Sequence, residues 1–309
     1  MTHPESTANP EIVLGPNQYG KAEVRVVRIN RETPVHEIRD LNVTSFLRGD
    51  FAGTFLTGDN SKVIATDTQK NTVYAFAKKH GITTPEAFLL TLGRHFLAYE
   101  EVSGGRWTAD SYPWERITVD GAPHEHSFVR SKQEVRTAAV TIADGVEYVL
   151  GGFKDLTVLK STGAEFHGYP RDEYTTLPET TDRIMATDIA ARWLYADDVD
   201  PLTADLDSLY AQIKRITCEK FATVHSLSLQ QTLYAAGQAV LESLPQIEDI
   251  RYAMPNNHHY VVDLERFGLE NNNEVFEAGV LPYGLMNASV TRRGAAPKPA
   301  AWDWIGDFI

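Results

Sequence analysis

Over residues 21–29 the chain alternates: Ala22, Val24 and Val26 fall on one side, Glu23 and Arg25 on the other, the period-two pattern of a strand with one wet face. After a polar break at residues 30–34, a second extended segment runs through Ile38, Leu41, Val43 and Phe46, and Val63, Ile64 and Ala65 predict a third. The period then lengthens. Val73, Phe76, Ala77 and His80 share a helical face, and Thr84-Pro85-Glu86 supplies a cap, a first-turn proline and an early acid ahead of Phe88, Leu89, Leu92 and Phe96. Strand pattern returns at residues 107–112 and 127–142, ending near Asp144-Gly145, a dipeptide suited to a tight hairpin.

The second half repeats this order. Extended segments at residues 153–160 and 183–195 precede two helical stripes, Leu206, Leu209, Ile213, Ile216 and then Leu229, Leu233, Ala236, Val240, with strands expected at residues 250–254 and 259–264. A short echo, Ile64-Ala65-Thr66-Asp67 against Met185-Ala186-Thr187-Asp188, accompanies the repeat. Sheets whose helices all come between the second and third strands belong to the antiparallel α+β class, with helices layered on one face. A chain of 309 residues holds two such units, placed at 12–145 and 146–292. In the remaining 293–309 tail a polar RRGAAPKP connection (292–299) leads to Trp302, Trp304, Ile305, Phe308 and Ile309, an apolar end expected to dock on another subunit.

The formal net charge of -13 works against nucleic acid or anionic lipid as a partner. A small anion remains possible, because it responds to the few charges lining its pocket rather than to a total screened beyond about 8 Å. Cys218 is the only cysteine, which rules out an intrachain disulfide or a thiolate zinc cluster. No apolar run is long enough to span a membrane and residues 1–11 lack a secretory core, so an intracellular, soluble setting is expected.

Cofactor signatures are missing: there is no G-x-G-x-x-G after a strand, no phosphate-loop G-x-x-x-x-G-K-S/T and no H-E-x-x-H. His124-Glu125-His126 puts two imidazoles on one face of an extended segment, but no third ligand declares itself, and the pair reads as structural rather than metal-binding. His258 and His259 are adjacent, so only one can enter a given pocket. Taken singly, Thr66-Asp67 reads as a helix cap, Lys21 as a solvated edge lysine and Phe166 as core packing.

Taken together, segments spread over nearly the whole chain resemble the urate oxidase family of bacterial type in order and spacing. They are Tyr19-Gly20-Lys21, Val63-Ile64-Ala65-Thr66-Asp67 with Lys70-Asn71-Thr72, GAPHEHSFVR (121–130), LTVLKST (156–162), RDEYTT (171–176), ETTDRIMATD (179–188), SLQQTLY (228–234) and Pro255-Asn256-Asn257-His258. The resemblance implies two tandem tunnelling-fold domains, each an antiparallel four-stranded sheet with two helices, assembled as a homotetramer whose sheets close into barrels with active sites between subunits. It maps the family's catalytic lysine and threonine onto Lys21 and Thr66 and its pocket histidine onto His258. The stacking aromatic corresponds to Phe166, the edge-gripping arginine and glutamine to Arg183 and Gln230, neighbouring substrate contacts to Asp67 and Leu229, and the oxygen-side asparagine to Asn256.

These types suit the implied chemistry, oxidation of urate by O2 and water to 5-hydroxyisourate and hydrogen peroxide with no cofactor and no metal. A guanidinium fork and an amide read the edge of a flat anionic purine while an aromatic ring stacks on its face. A threonine hydroxyl passing a proton to an unprotonated lysine amine would serve as general base, giving a dianion electron-rich enough to reduce O2 directly. Asn257 departs from the lysine that fungal members carry there, which bears on His258. The final residues Gly306-Asp307-Phe308-Ile309 lack a peroxisomal Ser-Lys-Leu, from which a cytoplasmic setting is expected. A zinc-using purine or pterin hydrolase of the same fold, or a non-catalytic purine binder, are the alternatives; the first needs a metal site that this chain poorly offers, and the second has no use for Lys21 or Thr66.

Overall fold

The computed structural model describes residues 12–303. In chain order it holds β1 (Tyr19–Asn30), β2 (Glu37–Gly49), α1 (Ala52–Leu56), α2 (Thr66–Lys79), α3 (Pro85–Phe96), β3 (Val102–Ser111), β4 (Glu115–Val119), β5 (Ala122–Val129), β6 (Val135–Ala143) and β7 (Val146–Lys160). Then follow β8 (Met185–Tyr195), α4 (Leu206–Thr223), α5 (Leu229–Ser243), β9 (Ile247–Val261), β10 (Phe276–Thr291) and α6 (Pro299–Trp302). Eight strands form one antiparallel sheet in the order β1-β2-β3-β6-β7-β8-β9-β10, and β4 and β5 make a separate hairpin. The two expected four-stranded sheets are therefore joined edge to edge, through β6 and β7, into a single surface.

Local chemistry explains the joints. Asp144 and Gly145 turn β6 into β7 with φ of 52° and 76°, the left-handed pair that a two-residue hairpin needs. The Thr84 side chain accepts the Ala87 N–H at 3.2 Å and starts α3 ahead of Pro85, while Asp205 and Ser228 cap α4 and α5 in the same way. The stripes read from the sequence pack inward: Val73 and Ala77, Leu89 and Leu92, Ile213 and Leu233 meet Leu41, Trp107, Trp193 and Ile250 from the sheet. Between the halves Arg136 on β6 reaches the wholly buried Glu86 of α3 at 2.9 Å and also pairs with Asp207 of α4. Burial pushes the Glu86 carboxyl up, against the pull of Arg136.

Several expectations change. Val63–Ala65 is not a strand but the loop that enters α2, and the extended stretch 127–142 is cut by a break between β5 and β6. The two expected strands at 250–264 are one, β9, and its partner β10 was not foreseen because its sequence, interrupted by Gly279, Pro282 and Gly284, has no clean alternation. The four-residue echo is not a structural repeat: Thr66 opens a helix, whereas Thr187 lies in mid-strand, opposite Asn256. The described part of the tail docks on its own chain. Ala301 and Trp302 pack on Ala139, Leu150 and Leu194, on the sheet face away from α2–α5, with Arg251 3.7 Å from the Trp302 ring centroid. Polar anchors fix it there, for Lys298 pairs with Asp197 and Glu248, and Arg106 donates to the Asp303 carbonyl at 2.5 Å. Trp304, Ile305, Phe308 and Ile309 lie outside the described residues.

Candidate active site

Lys21 sits on β1 opposite Ser45 of β2. The preceding Gly20 runs so close to β2 that a Cβ there would lie 1.7 Å from the Ser45 carbonyl oxygen, so only glycine fits. Just beyond, the register shifts between Lys21 and Val24, and Glu23 takes φ 56°, a bulge of the kind that re-aims side chains. Two side chains dock α2 and the loop before it against β1 and β2. The fully buried Gln69 accepts the Ser45 hydroxyl at 2.6 Å, and the Tyr19 hydroxyl accepts the Ile64 N–H at 2.8 Å and donates to the Ile64 carbonyl at 3.1 Å.

Thr66 and Asp67 thus open α2 beside Lys21. The capping explanation for them fails: Ala65 is the N-cap and makes no side-chain cap bond, and the Asp67 carboxylate is taken by Lys70 and Asn71. Lys70, with help from Asn71 and from the charge of Lys21, holds that carboxyl below its usual range.

The other residues singled out by the resemblance gather at the far edge. Phe166 and Thr180 exchange backbone hydrogen bonds at 2.9 and 3.0 Å, and the Arg183 N–H donates to the Ala164 carbonyl at 2.9 Å. Glu165 donates its N–H to Ser226, whose own N–H reaches the Gly163 carbonyl. Lys160 Nζ holds the same turn, donating to the Val224 carbonyl and the Ser226 hydroxyl at 2.7 Å each. The Ser228 cap then sets Leu229 and Gln230 in the first turn of α5, where backbone N–H groups have no partner within the helix.

Arg183 lies with its guanidinium carbon 5.3 Å from the Phe166 ring centroid. Its Nε is buried without a hydrogen-bond partner, and no carboxylate among the described residues pairs with it. Burial lowers its pKa, the direction expected of a cation held partly out of water with no counter-charge. Asn256 is buried on β9 between Thr187 and Gly284. Two residues on, burial first and then the charges of Arg183 and His259 depress the His258 pKa, which favours the neutral imidazole. Asn257 donates to Asp188 at 2.8 Å and so ties β9 to β8.

The two clusters do not meet within one chain. Six strand steps separate β1 from β9, about 29 Å along the sheet at the usual strand spacing. Among the described residues no hydrogen bond or ion pair joins Lys21, Thr66 or Asp67 to Phe166, Arg183, Leu229, Gln230, Asn256 or His258. Sequence reading missed the supports, namely Tyr19, Lys160, Glu165, Ser226 and His225. Glu165 and His167 carry a faint signal, two apart in an extended stretch, but their third partner His225 comes from the α4–α5 turn. His124 and His126 meet edge to face at 4.5 Å on the β4–β5 hairpin, away from both clusters. Among the described residues no group of three potential metal ligands forms, and no helix is long and apolar enough to cross a membrane.

Fold and site together define an antiparallel α+β protein in which one end of the sheet sets a half-buried arginine beside an aromatic ring, and the other end carries a lysine beside a threonine. Comparison with known proteins makes this specific. The family model described as uricase matches residues 17–141 and 149–287. The chain is 51% identical over 305 residues to the uricase of Arthrobacter globiformis, covering 98% of each, and 37% identical over 292 residues to that of Emericella nidulans, covering 90% of this chain and 97% of that one. The crystal structure of the Arthrobacter globiformis uricase superposes with a TM-score of 0.89 at 52% identity, over 94% of this chain and 99% of that one. A uricase from Bacillus fastidious superposes at 0.76 with 27% identity, over 90% and 94%. The chain belongs to the uricase family.

Proposed function

We propose that this chain oxidises urate with O2 and water to 5-hydroxyisourate and hydrogen peroxide, at sites completed when the β1 edge of one copy meets the β9–β10 edge of another. Family membership supports the reaction. The observation that carries the site is Arg183, a half-buried cation with an unpartnered Nε beside an aromatic face, because that arrangement is incomplete without an anionic, planar ligand. Urate stacks on Phe166, and Arg183 and Gln230 read one edge with the Leu229 N–H. The Thr66 and Asp67 end of a second copy closes the opposite edge. Closure also removes the two open strands, β1 and β10, whose outer N–H and C=O groups have no ladder partner in one chain. Tandem tunnelling-fold units at 12–145 and 146–292, joined into a homotetramer, are the assembly this reading requires.

Thr66 takes the proton that urate must lose and passes it to Lys21, leaving a dianion. That dianion yields two electrons to O2, which takes up two protons and leaves as peroxide, so the reaction needs no flavin or metal. Asn256 holds the oxygen-side ligand, and neutral His258 guides the water whose hydroxyl adds to the ring. Metal-free protein mixed with urate in air tests the reaction: urate absorption falls as peroxide appears in equal amount, with or without chelator. The shared site has its own test. Lys21→Met and Arg183→Gln chains, each strongly impaired in kcat/KM alone, regain part of the wild-type kcat/KM when unfolded and refolded together, since about a quarter of randomly assembled sites receive both intact halves. No recovery overturns the shared-site reading and leaves the reaction standing.

A further inference from the structure

We infer that Tyr19 is a positioning residue for the base, its hydroxyl fixing the separation of Lys21 and Thr66; this rests on the reading of those two residues as the proton relay. Tyr19 precedes Lys21 by two positions on β1 and so points to the same side of the strand. Ile64 precedes Thr66 by two positions in the loop that enters α2. One phenol oxygen both receives the Ile64 N–H at 2.8 Å and donates to the Ile64 carbonyl at 3.1 Å, so it bonds both polar groups of one residue and defines the loop's height and tilt against the strand.

The ring itself is held. Phe51 meets it edge to face, with centroids 4.7 Å apart and planes at 89°, so the hydroxyl has little freedom to swing. Burial raises the Tyr19 pKa, which keeps the phenol protonated and able to donate throughout the working range. The loop's other restraints act before Ile64: Thr54 and Gly53 bond Asp59, Lys62 pairs with Asp50, and Val63 donates to the Asn60 carbonyl. Residues 57–62 are exposed and belong to no helix or strand, and the other side-chain bond to the Ile64 peptide, from Gln69 Nε2, is long at 3.4 Å. Without the phenol oxygen, Ile64 would lose its shortest tether to β1. Thr66 would then drift relative to Lys21, and proton transfer falls steeply with such misplacement.

The test is a double-mutant cycle of Tyr19→Phe, Lys21→Met and the pair, read as kcat and KM for urate with the melting temperature followed alongside. Phenylalanine keeps the ring against Phe51 and removes only the oxygen. Tyr19→Phe is expected to lower kcat about tenfold and leave KM within about twofold. In the Lys21→Met background it is expected to change the residual rate hardly at all, because there is no base left to misplace. Replacing Tyr19 with 4-aminophenylalanine, which restores a donor on the ring, recovers much of the loss. An unchanged kcat, a loss confined to KM, or an equal loss in both backgrounds overturns the assignment while leaving the relay intact. If Lys21→Met alone turns over at the wild-type rate, the relay reading falls and takes this inference with it. Should Tyr19→Phe fold poorly, the 4-aminophenylalanine chain is carried through the same cycle: a residual kcat deficit at a wild-type melting temperature that disappears in the Lys21→Met background upholds the geometric role, and a deficit of equal size in both backgrounds removes it.

Discussion

The two edges of the sheet are built differently. At the β9 edge, Phe166, Arg183, Leu229 and Gln230 hang from a knot of backbone bonds in which residues 163–166, 180–183 and 226 satisfy one another, with Lys160 as a peg. Recognition of an anion needs donors whose directions are fixed before the ligand arrives, and backbone pairing supplies this. At the β1 edge, Lys21 and Thr66 have no such mesh. A glycine-tight strand, a bulge and the side chains of Tyr19 and Gln69 set their relation. On the proposed reading, one edge holds a shape and the other brings two reactive groups together; within one chain the two clusters do not meet.

The comparison predicts opposite kinetic signatures. Lys21→Met and Thr66→Ala should each lower kcat by about 10²-fold or more while urate binding largely survives, the size expected for losing a general base. Steady-state kinetics with anaerobic urate binding decides it; collapsed affinity with surviving turnover would put the base elsewhere. Arg183→Gln should act the other way, raising KM by roughly 10- to 100-fold through the loss of charge-assisted hydrogen bonds, with a smaller change in kcat. Equal effects of all three on kcat alone would dissolve the distinction between the edges.

The contrast also explains what could be read in advance. Element order, helix stripes, the Thr84-Pro85 start and the Asp144-Gly145 turn were legible because each depends on neighbours in sequence. Strand β10 was not: Gly279, Pro282 and Gly284 interrupt its alternation, and it is held in register by β9. Every proposed site residue was recognisable only through its family resemblance. Bottom-up, Thr66-Asp67 looked like a cap, and only the folded chain reveals Ala65 in that role. The partnership of Glu165 with His225 joins residues sixty positions apart, and no local pattern announces it.

That partnership gives a smaller effect. The Glu165 carboxylate accepts from His225 Nε2 at 2.5 Å and from His167 Nε2 at 2.9 Å, and these bonds, His225 first, hold it below the usual carboxylate range. It clips the segment bearing Phe166 to the turn that leads into Leu229 and Gln230. Because the clip faces solvent and backbone bonds already hold both segments, Glu165→Ala should raise KM only about threefold and leave kcat alone. A larger change in kcat than in KM would mean the clip serves the chemistry rather than the cradle.

The finest test of the cradle is the titration of His258, followed by the ring proton resonances in two-dimensional NMR. Its pKa is depressed from 6.5, chiefly by burial and then by the charge of Arg183 and of His259. A depressed imidazole stays neutral as pH falls through the ordinary value, so its midpoint should lie below 6.5. The unfolded chain takes up that proton first, which means the residue's contribution to stability is present above 6.5 and diminishes as pH falls through the window below it. Arg183→Gln removes the larger of the two charge effects and should move the midpoint upward, yet keep it below 6.5 because burial remains the larger cause. A midpoint that ignores the substitution would separate His258 from Arg183 electrostatically, and with it the claim that the β9 edge carries a single preassembled cradle.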